Sequence, residues 1–154
     1  MPAPEDLAAF LIAEGCLPMI AGVQPTAQPP MGTPLAPADR AALGFTGPGV
    51  TMRYEGGLIA DFGAETATIR ITETDVANAM RVLDAAMQNA PGDTQQTEEA
   101  AAAGQKLRTY FIRLTERRYA RVAVTYPEGG RAPLEFRVTG VASIGYASPG
   151  AAAA

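Results

Sequence analysis

Apolar residues recur in two rhythms along this chain, and the change of rhythm divides it. Val76, Met80, Leu83 and Met87 follow one another at steps of 4, 3 and 4, the period that gathers side chains on one helical face. Thr72 followed three residues later by Asp75 has the spacing of a capping box, and Asn89 with Pro91-Gly92 marks the end of that helix. Elsewhere the rhythm is two. Ala120, Val122 and Val124 alternate with Tyr119, Arg121 and Ala123, and Leu134, Phe136 and Val138 alternate with Glu135 and Arg137, the signature of strands with one buried face.

Turn residues place the remaining strands. Gly56-Gly57 between Val50–Glu55 and Leu58–Phe62 is a hairpin signal, and a two-residue loop sets Glu55 opposite Leu58 and Asp61 opposite Met52. Ala67–Ile71 gives a third strand, and Leu107–Leu114 with Tyr119–Tyr126 a hairpin around Thr115–Arg118. Residues 97 to 115 read two ways. Thr97-Glu98-Glu99 starts a helix that Ala100, Ala103, Leu107, Phe111 and Leu114 would continue, whereas Gly104 and the β-branched and aromatic run Thr109–Ile112 favour a short helix to Ala103 and then a strand.

Ahead of this body, Leu7, Phe10 and Leu11 form the apolar stripe of a helix over Glu5–Glu14, with acids in its first turn and Gly15 as its stop. Six prolines between Pro18 and Pro37 exclude a central strand or long helix there, so that stretch is expected to be an extended connector. A short helix opening at Pro37 and closing at Gly44 follows it. The expected organisation is an N-terminal amphipathic helix (1–17), a proline-rich connector with a short helix (18–49), an α+β body (50–147) and a loose tail (148–154). The expected fold is α+β, an antiparallel sheet of about five to six strands with one main helix packed on it. The strand-rich halves on either side of the helices resemble each other in plan, without a sequence repeat.

Composition thins the core. Of the 154 residues, 31 are Ala and only 30 are Leu, Ile, Val or Phe, close to the about one-fifth share below which chains tend to stay unfolded. A net charge of −4 is too small to hold the chain open. Ala and Arg bias with a single Lys resembles translation of GC-rich DNA, which fits a bacterial source. The chain contains no His, so Ser-His-Asp and Cys-His catalysis are excluded. One cysteine, Cys16, cannot build a structural zinc site and is expected to be a small buried hydrophobe. The single Lys106 precedes Leu107, so there is no phosphate-binding Gly-Lys-Ser/Thr loop, and no cofactor or metal is expected. No stretch approaches the about 20 apolar residues of a membrane span. A single Cys fits a cytoplasmic location, and a periplasmic one after removal of a leader fits equally.

Charge is distributed unevenly. Residues 1–105 carry 4 basic and 13 acidic side chains, net −9, and residues 106–154 carry 8 basic and 3 acidic, net +5. Six basic groups, Lys106, Arg108, Arg113, Arg117, Arg118 and Arg121, fall within sixteen residues among Tyr110, Phe111 and Tyr119. Arginine forks beside aromatics suit a carboxylate or phosphate, which makes Arg113, Arg117, Arg118 and Arg121 the candidate ligand-binding residues. The resulting expectation is a non-catalytic binding or interaction module whose partner is another protein with an acidic surface or a small anion. A pI near 4.8 argues against nucleic acid. Two alternatives are a His-independent enzyme using carboxylates, for which Glu55 and Asp61 are the obvious pair although a two-residue loop sets them on opposite faces, and a structural subunit of a larger assembly.

Overall fold

The computed structural model describes residues 3–22, 32–63, 66–89 and 93–141. The expected tail at 148–154 and the middle of the proline-rich connector lie outside the described residues. The class is α+β, but among the described residues the sheet has eight strands rather than five or six. They are β1 (Thr33–Pro34), β2 (Val50–Tyr54), β3 (Leu58–Phe62), β4 (Thr66–Asp75), β5 (Asp93–Ala100), β6 (Gln105–Arg113), β7 (Tyr119–Pro127) and β8 (Arg131–Val141). All neighbours are antiparallel, in the order β1-β2-β3-β4-β8-β7-β6-β5. Two four-stranded meanders thus meet at β4 and β8.

Each meander is preceded by helix. Before β1, α1 (Pro4–Phe10) continues through a π-helical stretch, Leu11–Cys16, into α2 (Leu17–Ala21). Before β5 comes α4 (Val76–Gln88), and a short α3 (Pro37–Ala42) stands between β1 and β2. The N-terminal helix overruns its expected stop at Gly15 and ends at Gly22, where φ is +82°. Cys16, Leu17 and Ile20 are buried in the core, and their burial outweighs the roughly 1 kcal/mol that a mid-helix glycine costs. Pro18 also lies within this helix rather than in a connector. It has no N–H and its ring crowds the carbonyl four residues back; the wider π turn just before it accommodates both.

The additional strands are β1, only two residues long, and β5, which replaces the helix expected at Thr97–Ala103. The Thr97-Glu98-Glu99 pattern is a local preference. It loses to eight consecutive backbone pairings with β6 and to Arg108, whose Nε donates to Glu98 at 2.7 Å. Gly104, with φ at +74°, turns the chain between the two strands. At the other hairpin the loop holds three residues, Glu55-Gly56-Gly57, so Tyr54 pairs with Leu58 and Asp61 with Thr51, one position away from the expected register. The cap of α4 is Asp75, whose side chain accepts from the Asn78 backbone N–H, rather than Thr72.

The N-terminal helix and α4 cover one face of the sheet, the alternating strands fill the space beneath them, and α3 lies over the other face at β2–β4. Ala60, Ile69, Phe136 and Val124 lie opposite one another across β3, β4, β8 and β7, and Val76, Met80, Leu83 and Met87 of α4 are all buried against that layer. Beyond Val124 the row continues in Arg108 on β6 and ends in Glu98 on β5. No helix among the described residues is long and apolar enough to cross a membrane.

Candidate functional site

Strand alternation decides where the basic cluster points. Arg108 and Lys106 share the helix-covered face with buried Tyr110 and Ile112. Arg113 and Arg121, out of step with those residues, lie on the opposite, outer face, and both are exposed. Arg117 and Arg118 occupy the β6–β7 turn, where Thr115 Oγ1 accepts from both of their backbone N–H groups. The six basic groups therefore divide between two faces and a turn.

On the outer face the structure adds arginines that are distant in sequence. Arg121 is paired with Phe111, one diagonal step from Arg113, and Arg137 of β8 is paired with Ala123, one diagonal step from Arg121. Arg70 of β4 is the next step, because it pairs with Glu135 while Arg137 pairs with Thr68. Arg113, Arg121, Arg137 and Arg70 form a stripe across β6, β7, β8 and β4, with steps of about 7–8 Å expected for diagonal neighbours. Thr66, Thr68 and Thr139 flank it on the same face. Glu135 is the acid within the stripe, accepting from Arg70 Nε at 2.7 Å and from Arg137 Nε at 2.8 Å. Burial works against the charge of Glu135, but these two hydrogen bonds outweigh it and its pKa lies below the usual carboxylate range. Among the described residues Arg113 and Arg121 have no ion-pair partner, and Arg137 is 69% exposed. The sequence shows that Arg137 alternates with buried residues; that it stands beside Arg121 depends on strand order.

The helix-covered side of β5–β7 carries a second polar group, at a cleft of about 540 Å³ lined by Met80, Arg81, Asp84, Lys106, Arg108 and Tyr126. Arg108, 17% exposed, donates to Glu98 and, through Nη2, to the Tyr126 hydroxyl at 3.1 Å. The Tyr126 hydroxyl donates to Glu98, and the Tyr110 hydroxyl donates to Asp84 at 2.9 Å. Lys106 lies between Glu128 at 3.2 Å and Glu98 at 3.6 Å. The Tyr126 and Arg108 hydrogen bonds hold Glu98 below the usual carboxylate range, and burial pushes the Tyr110 hydroxyl up. Lys106 and Arg108 are paired with acids within the molecule, Arg81 donates to the Asn78 side-chain oxygen, and the network ties α4 to β5, β6 and β7.

Asp61 does not meet Glu55, which is exposed in its turn. Its partners are Arg40, through Nε at 2.7 Å and Nη2 at 3.3 Å, and the Thr51 hydroxyl at 2.6 Å. Burial opposes its charge, but these bonds prevail and lower its pKa. The other carboxylates with clear shifts, Glu5, Glu98 and Glu135, also shift downward, the wrong direction for a general acid. Cys16 is 5% exposed, and burial pushes its thiol up to about 12, so it sits in the core as a neutral small hydrophobe. Met19 and Val50 are the large apolar side chains exposed among the described residues, too little for an apolar docking face. Among those residues no group of three or more Cys, Asp or Glu converges as a metal site. Comparison with family models, curated proteins and solved structures finds no match to this chain.

Proposed function

We infer that this chain is a small binding module whose outer sheet face, spanning β8, β7 and β6, docks against an acidic protein surface. The stripe of Arg113, Arg121 and Arg137 carries this reading, since these cations are exposed and lie outside the helix-packed core. Arg117 and Arg118 extend it at the β6–β7 turn. A small anion would need several donors aimed at one point, whereas a stripe on strands spreads its charges along a line and fits a row of carboxylates on a second macromolecule. Such contacts raise association rates and weaken with salt, because exposed charges are screened.

Fluorescence anisotropy with a labelled oligo-glutamate peptide tests this. Binding at low ionic strength is expected to weaken as salt is added. Arg113→Ala, Arg121→Ala and Arg137→Ala together should abolish it with an unchanged thermal melt, and Arg117→Ala with Arg118→Ala should produce a smaller loss. Absence of binding by the wild-type chain at low salt, or equal binding by the triple variant, would contradict the reading. A labelled single-stranded DNA bound more tightly than the peptide would instead make nucleic acid the partner.

A further inference from the structure

We propose that β5 is a self-complementary edge through which two copies of the chain join their sheets. β5 is the outermost strand on its side of the sheet among the described residues, and its eight residues all pair with β6 on the inner side. Its sequence, Asp-Thr-Gln-Gln-Thr-Glu-Glu-Ala, lacks the proline and lysine with which edge strands commonly block further pairing.

Charge fixes which strand can add. If a second β5 extends the antiparallel sheet about a two-fold axis, paired residues must share a face, so the sum of their numbers is even. Centred on Gln96, the pairing sets Asp93 against Glu99, and centred on Glu98, it sets that acid against itself. Centred on Thr97, it sets Thr97 against Thr97, Gln96 against Glu98, Gln95 against Glu99 and Thr94 against Ala100. This register covers every residue from Thr94 to Ala100 with no acid opposite an acid, and each glutamate faces a glutamine whose amide can donate to it. The Glu98 carboxylate is held in place by groups on β6 and β7. Its Oε2 accepts from Arg108 and Tyr126, which leaves Oε1, 3.6 Å from Lys106 Nζ, able to accept from Gln96 of the second copy. A foreign basic strand would meet the same acids but not the two-fold matching of Gln95 and Gln96 to Glu99 and Glu98.

Sedimentation equilibrium from micromolar to millimolar chain concentration is the test, with circular dichroism melts confirming that each variant folds. The wild-type mass should rise from 16.0 kDa towards twice that value. Gln95→Glu with Gln96→Glu creates four like-charge pairs per dimer and should weaken association more than about tenfold. Gln95→Lys with Gln96→Lys should tighten it, the opposite of what lysine does at an edge that pairs without this register. A chain that stays monomeric throughout, including one that binds a lysine-rich strand peptide instead, overturns the proposal. So does association that neither variant alters.

Discussion

The two meanders have the same plan and use arginine in opposite ways. Over the outer face of β2–β4, α3 and the loop after it form a roof held by Arg40 and Arg70, while Arg53, on the same face of β2, is exposed. Arg40 grips Asp61 and donates through Nη1 to the Gly47 carbonyl at 2.7 Å. Arg70 donates to the Leu43 carbonyl at 2.9 Å and stacks 4.3 Å over the ring of Phe45, besides its bond to Glu135. On β6–β8 the arginines at equivalent outward positions are exposed. An arginine count therefore says little about binding. What separates Arg40 and Arg70 from Arg113 and Arg121 is that the roof occupies the donors of the first pair, whereas the second pair has no ion-pair partner among the described residues.

The seam between the halves gives the largest expected effect. Phe136 lies opposite Ile69 where β8 meets β4, and both are buried. Phe136→Ala should cost about 3–5 kcal/mol in urea unfolding, read as one cooperative transition with a lowered midpoint. Two separated transitions would show that the meanders are independently stable. Next, Arg40→Ala leaves Asp61, at 13% exposure, without its main partner, and should lower Tm by several degrees, while Arg121→Ala leaves Tm unchanged. Equal losses from the two variants would erase the contrast between spent and exposed arginines. Tyr110→Phe removes the hydroxyl that bonds Asp84 and should cost about 0.5–1.5 kcal/mol by the same urea measurement.

The smallest effect is with pH. Glu5, Asp61, Glu98 and Glu135 have folded pKa values below their unfolded values of 3.8 for Asp and 4.5 for Glu. Their contribution is present above those unfolded values and is lost as pH falls through the lower folded ones. With no histidine in the chain and Cys16 pushed far up, stability measured by thermal melts should be flat from about pH 5.5 to 8.5 and fall only below about pH 4. A step near pH 6.5 would contradict this assignment of charges.

Where one periodicity was unopposed, the sequence alone was a sound guide. The α4 stripe, the β6–β7 hairpin and the alternating β8 residues stand as their rhythms predict, because burial and local preference agree there. Where they disagreed, long-range pairing prevailed. β5 has no apolar alternation and a helix-start pattern, yet β6 supplies a partner for its whole length. Gly15 looks like a helix stop, yet the apolar positions beyond it continue the same buried face. The hairpin register depended on whether Glu55 belongs to the strand or the loop, which two glycines cannot decide. The stripe was half legible. Arg121 and Arg137 could each be set on the polar face of its own strand from alternation, but Arg113 lies in a run without it, and the three stand side by side only through a strand order and register that no local spacing encodes.

Amide chemical-shift mapping of the isotopically labelled chain, titrated with oligo-glutamate at low salt, tests the contrast most directly. The account predicts shifts concentrated at Arg113, Arg121, Arg137 and the neighbouring Thr68 and Thr139, with Arg40, Thr51 and Asp61 unmoved. Shifts confined to the α3 side or to the Arg108 cleft, or none at all, would contradict it.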